Sequence, residues 1–206
     1  GPTVLTYHSY AGRLVREQGL RLGIEPDARM LTEAASWQYA AEVVHGYDGP
    51  MDDVDKVPAS VISAVVSLAG EMAEHLLTPE EVRAEIEALI AGLGDLDETA
   101  RLKKDKNPVY RDLLQTLRAR RSVLPMVERY GQLKHARSAL DFADQMGLAA
   151  TLARRFPGVG ALERRRFKAV LLDEFQDTSE AQLQLLKHLF VAPGEPVRVT
   201  AVGDPH

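Results

Sequence analysis

Cysteine is absent from the 206 residues, which excludes a disulfide framework and any metal site built on thiolates. The 6 histidines never fall into a ligand-like pair, so histidine spacing offers no metal centre either. No apolar run reaches the roughly 18 residues a membrane span requires, and no basic-then-apolar leader is present. The expectation is a cytoplasmic globular piece with no membrane partner. Internal repeats and low-complexity tracts are missing. So is any Gly-x-x-x-x-Gly-Lys-Ser/Thr loop, which leaves these residues without a phosphate cradle of their own. What remains is 45% hydrophobic and 27% charged, enough for one or two cores.

The chemistry gathers near the carboxyl end. Ala169-Val170-Leu171-Leu172 is an uninterrupted apolar run that stops at two adjacent carboxylates, Asp173 and Glu174. The run reads as a parallel strand buried on both faces. At the carboxyl edge of an open α/β sheet, an Asp can hold the magnesium of a nucleotide and a neighbouring Glu can orient and deprotonate water. A bare acidic pair after a strand also occurs as a merely solvated turn. Ser179 and Gln182 stand at capping-box spacing, which predicts a helix from Ser179 and a short acidic turn. Residues 197–202 read as a second strand, between Pro193-Gly194-Glu195-Pro196 and Gly203-Asp204-Pro205. Strand, helix and strand make a βαβ unit with parallel strands, so Asp173, Glu174 and Asp204 are expected on one edge.

At the amino end, Val4-Leu5-Thr6 reads as a short strand followed by Tyr7-His8-Ser9-Tyr10 and a helical run to Leu22. The apolar positions Ala11, Leu14, Val15 and Leu22 share one helical face. If residues 4–6 join the same sheet, Tyr7 and His8 lie on the edge that carries Asp173. A structural role for a lone histidine after a strand is the alternative.

Between these ends the pattern is helical. Thr32 opens a helix through Trp37, Ala40, Ala41 and Val44 that ends near Gly46. Residues 46–57 form an acidic loop, whose Asp52, Asp53 and Asp55 lack the glycine and glutamate of a calcium loop. Pro58 starts a helix with Val61, Ile62, Val65, Val66, Leu68 and Ala69 on one face. Thr78-Pro79-Glu80-Glu81 is a capping box that starts another, running to about Gly92. Residues 95–107 are charged. A further helix starts at Asn107-Pro108, Pro125 is expected to break or kink it, and Gly147 to interrupt the next before Phe156-Pro157-Gly158. Trp37, Tyr39, Tyr110 and Tyr130 could stack on bases or pack as core and rim residues.

The net charge of -5 conceals three blocks. Residues 1–100 carry 6 basic and 18 acidic side chains, residues 101–168 carry 17 and 6, and residues 169–206 carry 2 and 6. In the basic island, Arg101, Lys103, Lys104, Lys106, Arg111, Arg118, Arg120, Arg121, Arg129, Lys134 and Arg137 would attract phosphates. Alternatively they form a solvated surface paired with the acidic half.

Taken in order, these segments resemble the UvrD/Rep/PcrA-type superfamily 1 DNA helicases, a family that includes the RecB and AdnAB helicase-nuclease motors. Asp173-Glu174-Phe175-Gln176-Asp177-Thr178 is similar to motif II, Val202-Gly203-Asp204-Pro205-His206 to the start of motif III, and Thr6-Tyr7-His8-Ser9-Tyr10-Ala11 to motif Ib. Leu140-Asp141-Phe142-Ala143-Asp144 resembles the acidic-aromatic segment upstream of motif II.

The resemblance implies an α/β fold in which a mainly helical insertion, residues 28–165, interrupts an incomplete RecA-like P-loop NTPase motor core. Residues 1–27 and 166–206 would belong to that core, its partial sheet formed by residues 3–6, 168–173 and 197–202. It implies ATP and Mg2+ as cofactors of the parent protein, with Asp173 holding the metal and Glu174 activating water. Gln176, Asp177 and Asp204 would serve the nucleotide site, while Tyr7, His8, Ser9, Asp141 and Phe142 would touch DNA. Single-stranded and junction DNA would be partners, with 3′ to 5′ movement in repair or recombination, and a partner helicase or nuclease subunit is a further expectation. Gly1-Pro2 reads as a protease-cleavage scar and the chain as an excised fragment, from motif Ib to motif III, inactive toward ATP by itself. The competing readings are a docking module for duplex DNA or a partner subunit, and a piece of a helicase-nuclease.

Overall fold

The computed structural model describes residues 2–51, 53–54, 57–94, 108–191 and 197–204. Asp52, Asp55, the stretch 95–107 with Arg101, Lys103, Lys104 and Lys106, the segment Pro193-Gly194-Glu195-Pro196, and Pro205-His206 lie outside the described residues. In chain order the elements are α1 (Tyr7–Gln18), β1 (Arg29–Met30), α2 (Glu33–His45), α3 (Pro58–Glu74), α4 (Pro79–Gly94) and α5 (Pro108–Ala136). They continue with β2 (Ala139–Leu140), α6 (Phe142–Arg155), α7 (Pro157–Arg166), β3 (Ala169–Leu172), α8 (Glu180–Leu186) and β4 (Arg198–Ala201). The chain divides into two compact units: Gly1–Leu31 with Ala73–Leu76 and Ser138–His206, and Thr32–Met72 with Leu77–Arg137. Residues 138–165, assigned to the insertion on sequence, therefore cluster with the unit that carries β3, because α6 packs its alanine face against α1 and α8.

In the first unit, residues 4–6 are not a strand. They are exposed and join no strand among the described residues; Thr6 adopts extended backbone as the N-cap of α1, its Oγ1 accepting from the Ser9 amide at 3.1 Å. That capping bond satisfies an orphan donor of the first turn, whereas Val4 and Leu5 have no partner strand among the described residues. Past α1 a 3₁₀ turn, Gly19–Leu22, ends at Gly23, whose φ of 74° suits glycine. Ala11, Leu14 and Val15 of α1 meet Met146, Ala149, Ala150 and Ala153 of α6 and Leu185 of α8 in one core. Gly147 does not interrupt α6, and a Cβ there would make only ordinary van der Waals contact, 3.4 Å from the Ala73 carbonyl oxygen. β1 pairs with β2, and β3 with β4, both in parallel.

Among the described residues, β3 is covered on one face only. Leu172 is buried and Val170 packs on the core, whereas Ala169 is exposed and Leu171 is 80% exposed. The unbroken apolar run predicts burial on both faces; the two-stranded sheet seen here has helices against one, and a strand's period of 2 sends alternate side chains outward. α8, capped by the reciprocal Ser179 and Gln182 bonds, runs into a π-helical turn, Lys187–Val191, before β4. The βαβ unit expected from sequence is therefore present, its register running from Ala169↔Arg198 to Leu172↔Ala201.

In the second unit, Thr32 caps α2 and Gly46 closes it, Pro58 begins α3, and Thr78 with Glu81 forms the capping box of α4. Pro125 lies inside an unbroken α5 of 29 residues. The missing N–H and ring clash cost about 3 kcal/mol. Fully burying Leu124, Met126 and Tyr130 around it offsets this at roughly 1.5–3 kcal/mol per side chain. Tyr110 and Tyr130 are core residues, while Trp37 is exposed. No single helix among the described residues is long and apolar enough to cross a membrane.

Candidate functional site

At the carboxyl end of β3 the chain turns sharply. Asp173 Oδ1 accepts from the Glu174 amide at 3.1 Å, and Glu174 takes up left-handed backbone with φ 52° and ψ 41°. A non-glycine residue there costs on the order of 1–2 kcal/mol and persists only when its surroundings hold it. They do so on both sides. The Val202 amide donates to the Leu172 carbonyl at 2.8 Å and the Phe175 amide to the Val202 carbonyl at 3.0 Å, extending the β3–β4 ladder past the strand ends.

Gln176, on the 3₁₀ turn Phe175–Asp177, joins the two strand ends. Its Nε2 donates to Glu174 Oε2 at 2.5 Å, and its Oε1 accepts from the Asp204 amide at 3.1 Å. Nε2 also lies 3.4 Å from Asp177 Oδ2. Gly203 makes the approach possible, since a Cβ there would sit 2.6 Å from Gln176 Oε1. Glu174, Gln176 and Asp204 thus form one connected group on the edge that also carries Asp173 and Asp177. All five are exposed.

Among the described residues no three His, Asp or Glu side chains converge as a metal cage. The donors suit magnesium nonetheless, because Mg2+ keeps several waters and takes one or two carboxylates together with substrate phosphates, and the exposed Asp173 has no partner at Oδ2 among the described residues. Phosphate-cradling glycines and a lysine are a different matter: the sequence contains no such loop.

A second group lies at the start of α1 and of α6. His8 meets Phe142 edge to face, ring centroids 6.0 Å apart, and Phe142 is 58% exposed. Ser9 is exposed and accepts from Thr6 Oγ1 at 2.9 Å. Tyr7 is turned inward, its hydroxyl buried without a hydrogen-bond partner among the described residues. Asp141 is the N-cap of α6, accepting from the Asp144 amide at 2.9 Å while Asp144 accepts from the Asp141 amide. Of the five residues read as DNA-facing, His8, Ser9 and Phe142 present surface, Tyr7 packs and Asp141 caps.

The basic island is largely paired where it is described. Arg121 meets Asp53 at 3.4 Å, Arg129 meets Asp48 at 3.2 Å, and Arg137 grips both oxygens of Glu42 at 2.9 and 2.6 Å. Arg129 and Arg137 also lie over the rings of Tyr47 and Tyr39. The Arg137 guanidinium holds the Glu42 carboxyl below its ordinary range, and the backbone amide of Asp48, with Arg129, does the same for Asp48. For these three arginines the solvated, acid-paired reading is the better one.

Sequence reasoning missed the left-handed Glu174, which no residue type announces, and the double bond of Gln176, which needs the relative position of two strands.

The whole chain, residues 1–206, matches the family model for the UvrD/REP helicase N-terminal domain. It is similar to the ATP-dependent DNA helicase UvrD1 of Mycobacterium tuberculosis (strain ATCC 25618 / H37Rv), 36% identical over 91 residues that cover 41% of this chain and 11% of that protein. UvrD1 of Mycobacterium leprae (strain TN) is 26% identical over 192 residues, 92% of this chain and 21% of the relative. An ATP-dependent helicase/nuclease subunit of Streptococcus pneumoniae (strain CGSP14) is 24% identical over 186 residues, 84% and 15% respectively. The chain spans only 11 to 21% of the length of these relatives.

Proposed function

Because this chain belongs to the UvrD/REP helicase N-terminal domain family, we propose that it is part of an ATP-driven DNA helicase whose first, RecA-like motor domain contains β3 and β4. The observation that carries this is the group Glu174, Gln176 and Asp204, which ties a carboxylate at one strand end to the backbone at the next.

Glu174 is the proton acceptor for the attacking water. Gln176 engages Oε2 and leaves Oε1 without a partner among the described residues, so one carboxylate oxygen is oriented and the other is available. Asp173 would hold magnesium, which supplies neutralisation of phosphate charge when bound with ATP. Asp177 flanks Gln176, and Asp204, anchored through Gln176, moves when Gln176 moves. His8 and Phe142 offer an aromatic surface on which bases of a tracked single strand stack. Movement in the 3′ to 5′ sense, unwinding of a junction ahead, and a place in repair or recombination follow from family likeness.

The intact parent should hydrolyse ATP with a requirement for magnesium and single-stranded DNA, and should unwind 3′-tailed duplex. Hydrolysis indifferent to DNA would overturn this reading. The likeness to the streptococcal helicase/nuclease protein over 84% of the chain favours a second reading, in which the parent also resects DNA ends beside a partner subunit. Release of nucleotides from duplex ends separates the two.

A further inference from the structure

Glu163 is 0% exposed, yet it is a carboxylate with three donors around it. The Tyr10 hydroxyl donates to Oε2 at 2.7 Å, Arg13 Nη2 to the same oxygen at 2.6 Å, and Arg166 lies 3.4 Å from Oε1. The Arg13 guanidinium sits over two rings, Tyr10 at 4.8 Å and Phe167 at 5.4 Å. The next residue is engaged too: Arg164, also buried, donates to the Leu189 carbonyl at 2.6 Å. Gly160 makes room, because a Cβ there would stand 2.8 Å from both Arg164 Nη1 and the His188 carbonyl.

These contacts have a direction. Tyr10 and Arg13 lie on α1, whose first turn carries His8. Leu189 lies in the turn that ends the helix following Asp173-Glu174-Phe175-Gln176-Asp177. Phe167 and Lys168 lead straight into β3. Two consecutive residues of α7 therefore grip the helix bearing the aromatic surface and the helix leaving the carboxylate edge, on the segment that enters the strand between them. Apolar packing would hold these elements together equally well, since replacing a buried ion pair by hydrophobic groups of similar volume is often neutral or stabilising. What a charged, hydrogen-bonded contact adds is a fixed register, because a shift of about 1 Å breaks bonds that packing would tolerate.

We infer that Glu163 is a positioning residue that couples DNA engagement at the start of α1 to hydrolysis at the Asp173–Glu174 edge. This rests on the helicase reading above. α1 moves as a rigid rod, Glu163 transmits its position to α7, and Arg164 passes it to the helix after the acidic turn.

The test uses the intact parent protein with Glu163→Gln, which keeps the shape and removes the charge. Turnover without DNA should stay within about twofold of the unmodified protein. The ratio of DNA-stimulated to DNA-free turnover should fall about three- to thirtyfold, the range of coupling mutations distant from either ligand. A structural defect would instead lower both rates together. Should Glu163→Gln not fold, Tyr10→Phe removes only the hydroxyl, and it should lower the ratio in the same direction by about two- to fivefold. An unchanged ratio in a folded variant overturns the inference and leaves the helicase reading intact. Absence of DNA stimulation in the unmodified parent removes that reading itself.

Discussion

The side-chain oxygen of Gln176 accepts a hydrogen bond from the backbone amide of Asp204 at 3.1 Å, while its amide nitrogen serves the Glu174 carboxylate. One side chain thus fixes the loop after β4 to the acidic turn after β3. Gln176→Leu removes both bonds, and the Asp204 amide should then exchange its hydrogen about fivefold faster, the equivalent of roughly 1 kcal/mol. Amide exchange read by NMR checks this, and unchanged protection at Asp204 would show that the loop is held by other means.

Gly203→Ala attacks the same junction sterically. The new methyl would meet Gln176 Oε1 at 2.6 Å and the Gln176 amide nitrogen at 3.0 Å, one flexible and one fixed neighbour. The loop must move, at a cost of about 1–3 kcal/mol. Thermal denaturation should show that loss, with chemical-shift changes confined to the two strand ends.

Tyr10 gives a pH-dependent signature. Burial pushes its hydroxyl above the ordinary 10.0, and the bond to the Glu163 carboxylate with that group's charge pushes it further, against the smaller opposing effect of Arg13. A group whose folded pKa is raised contributes stability that is fully present below the unfolded value and is lost as pH rises through the folded one. Stability should therefore decline above about pH 10, and the Tyr10 ring should resist ionisation there when followed by ultraviolet absorbance. Glu163→Gln should bring its ionisation to lower pH.

Pro125 offers a test in the second unit. Pro125→Ala restores an N–H that can donate to the Arg121 carbonyl and relieves the ring, so it should stabilise by about 1–3 kcal/mol. A melting temperature that falls instead would mean that the surrounding packing depends on the proline ring.

What can be read from the chain beforehand is what short-range chemistry decides. Thr32, Thr78 and Ser179 announce helix starts because a side-chain oxygen two or three residues before an orphan amide has one efficient use. The parallel pairing of β3 with β4 follows from the length of the connection between them. Misreadings arise where a neighbour distant in sequence decides the outcome. Among the described residues, residues 4–6 have strand-like side chains but no strand to pair with, and Leu171 has a core-like side chain on an uncovered face. Pro125 and Gly147 remain helical because tertiary packing outweighs their propensities. In the candidate site the carboxylates are legible as a pair after an apolar run. Their geometry is not, since the left-handed Glu174, the double role of Gln176 and the burial of Glu163 each depend on a segment folded back from elsewhere.

The most direct test of the central claim is Glu174→Gln in the intact parent. A neutral amide keeps the size and hydrogen-bonding reach of the side chain but cannot take a proton, so nucleotide binding should persist while magnesium- and DNA-dependent hydrolysis falls by about 10²–10⁴. Near-normal turnover by the folded variant, with ATP still bound, would contradict the assignment of Glu174 as the group that activates water.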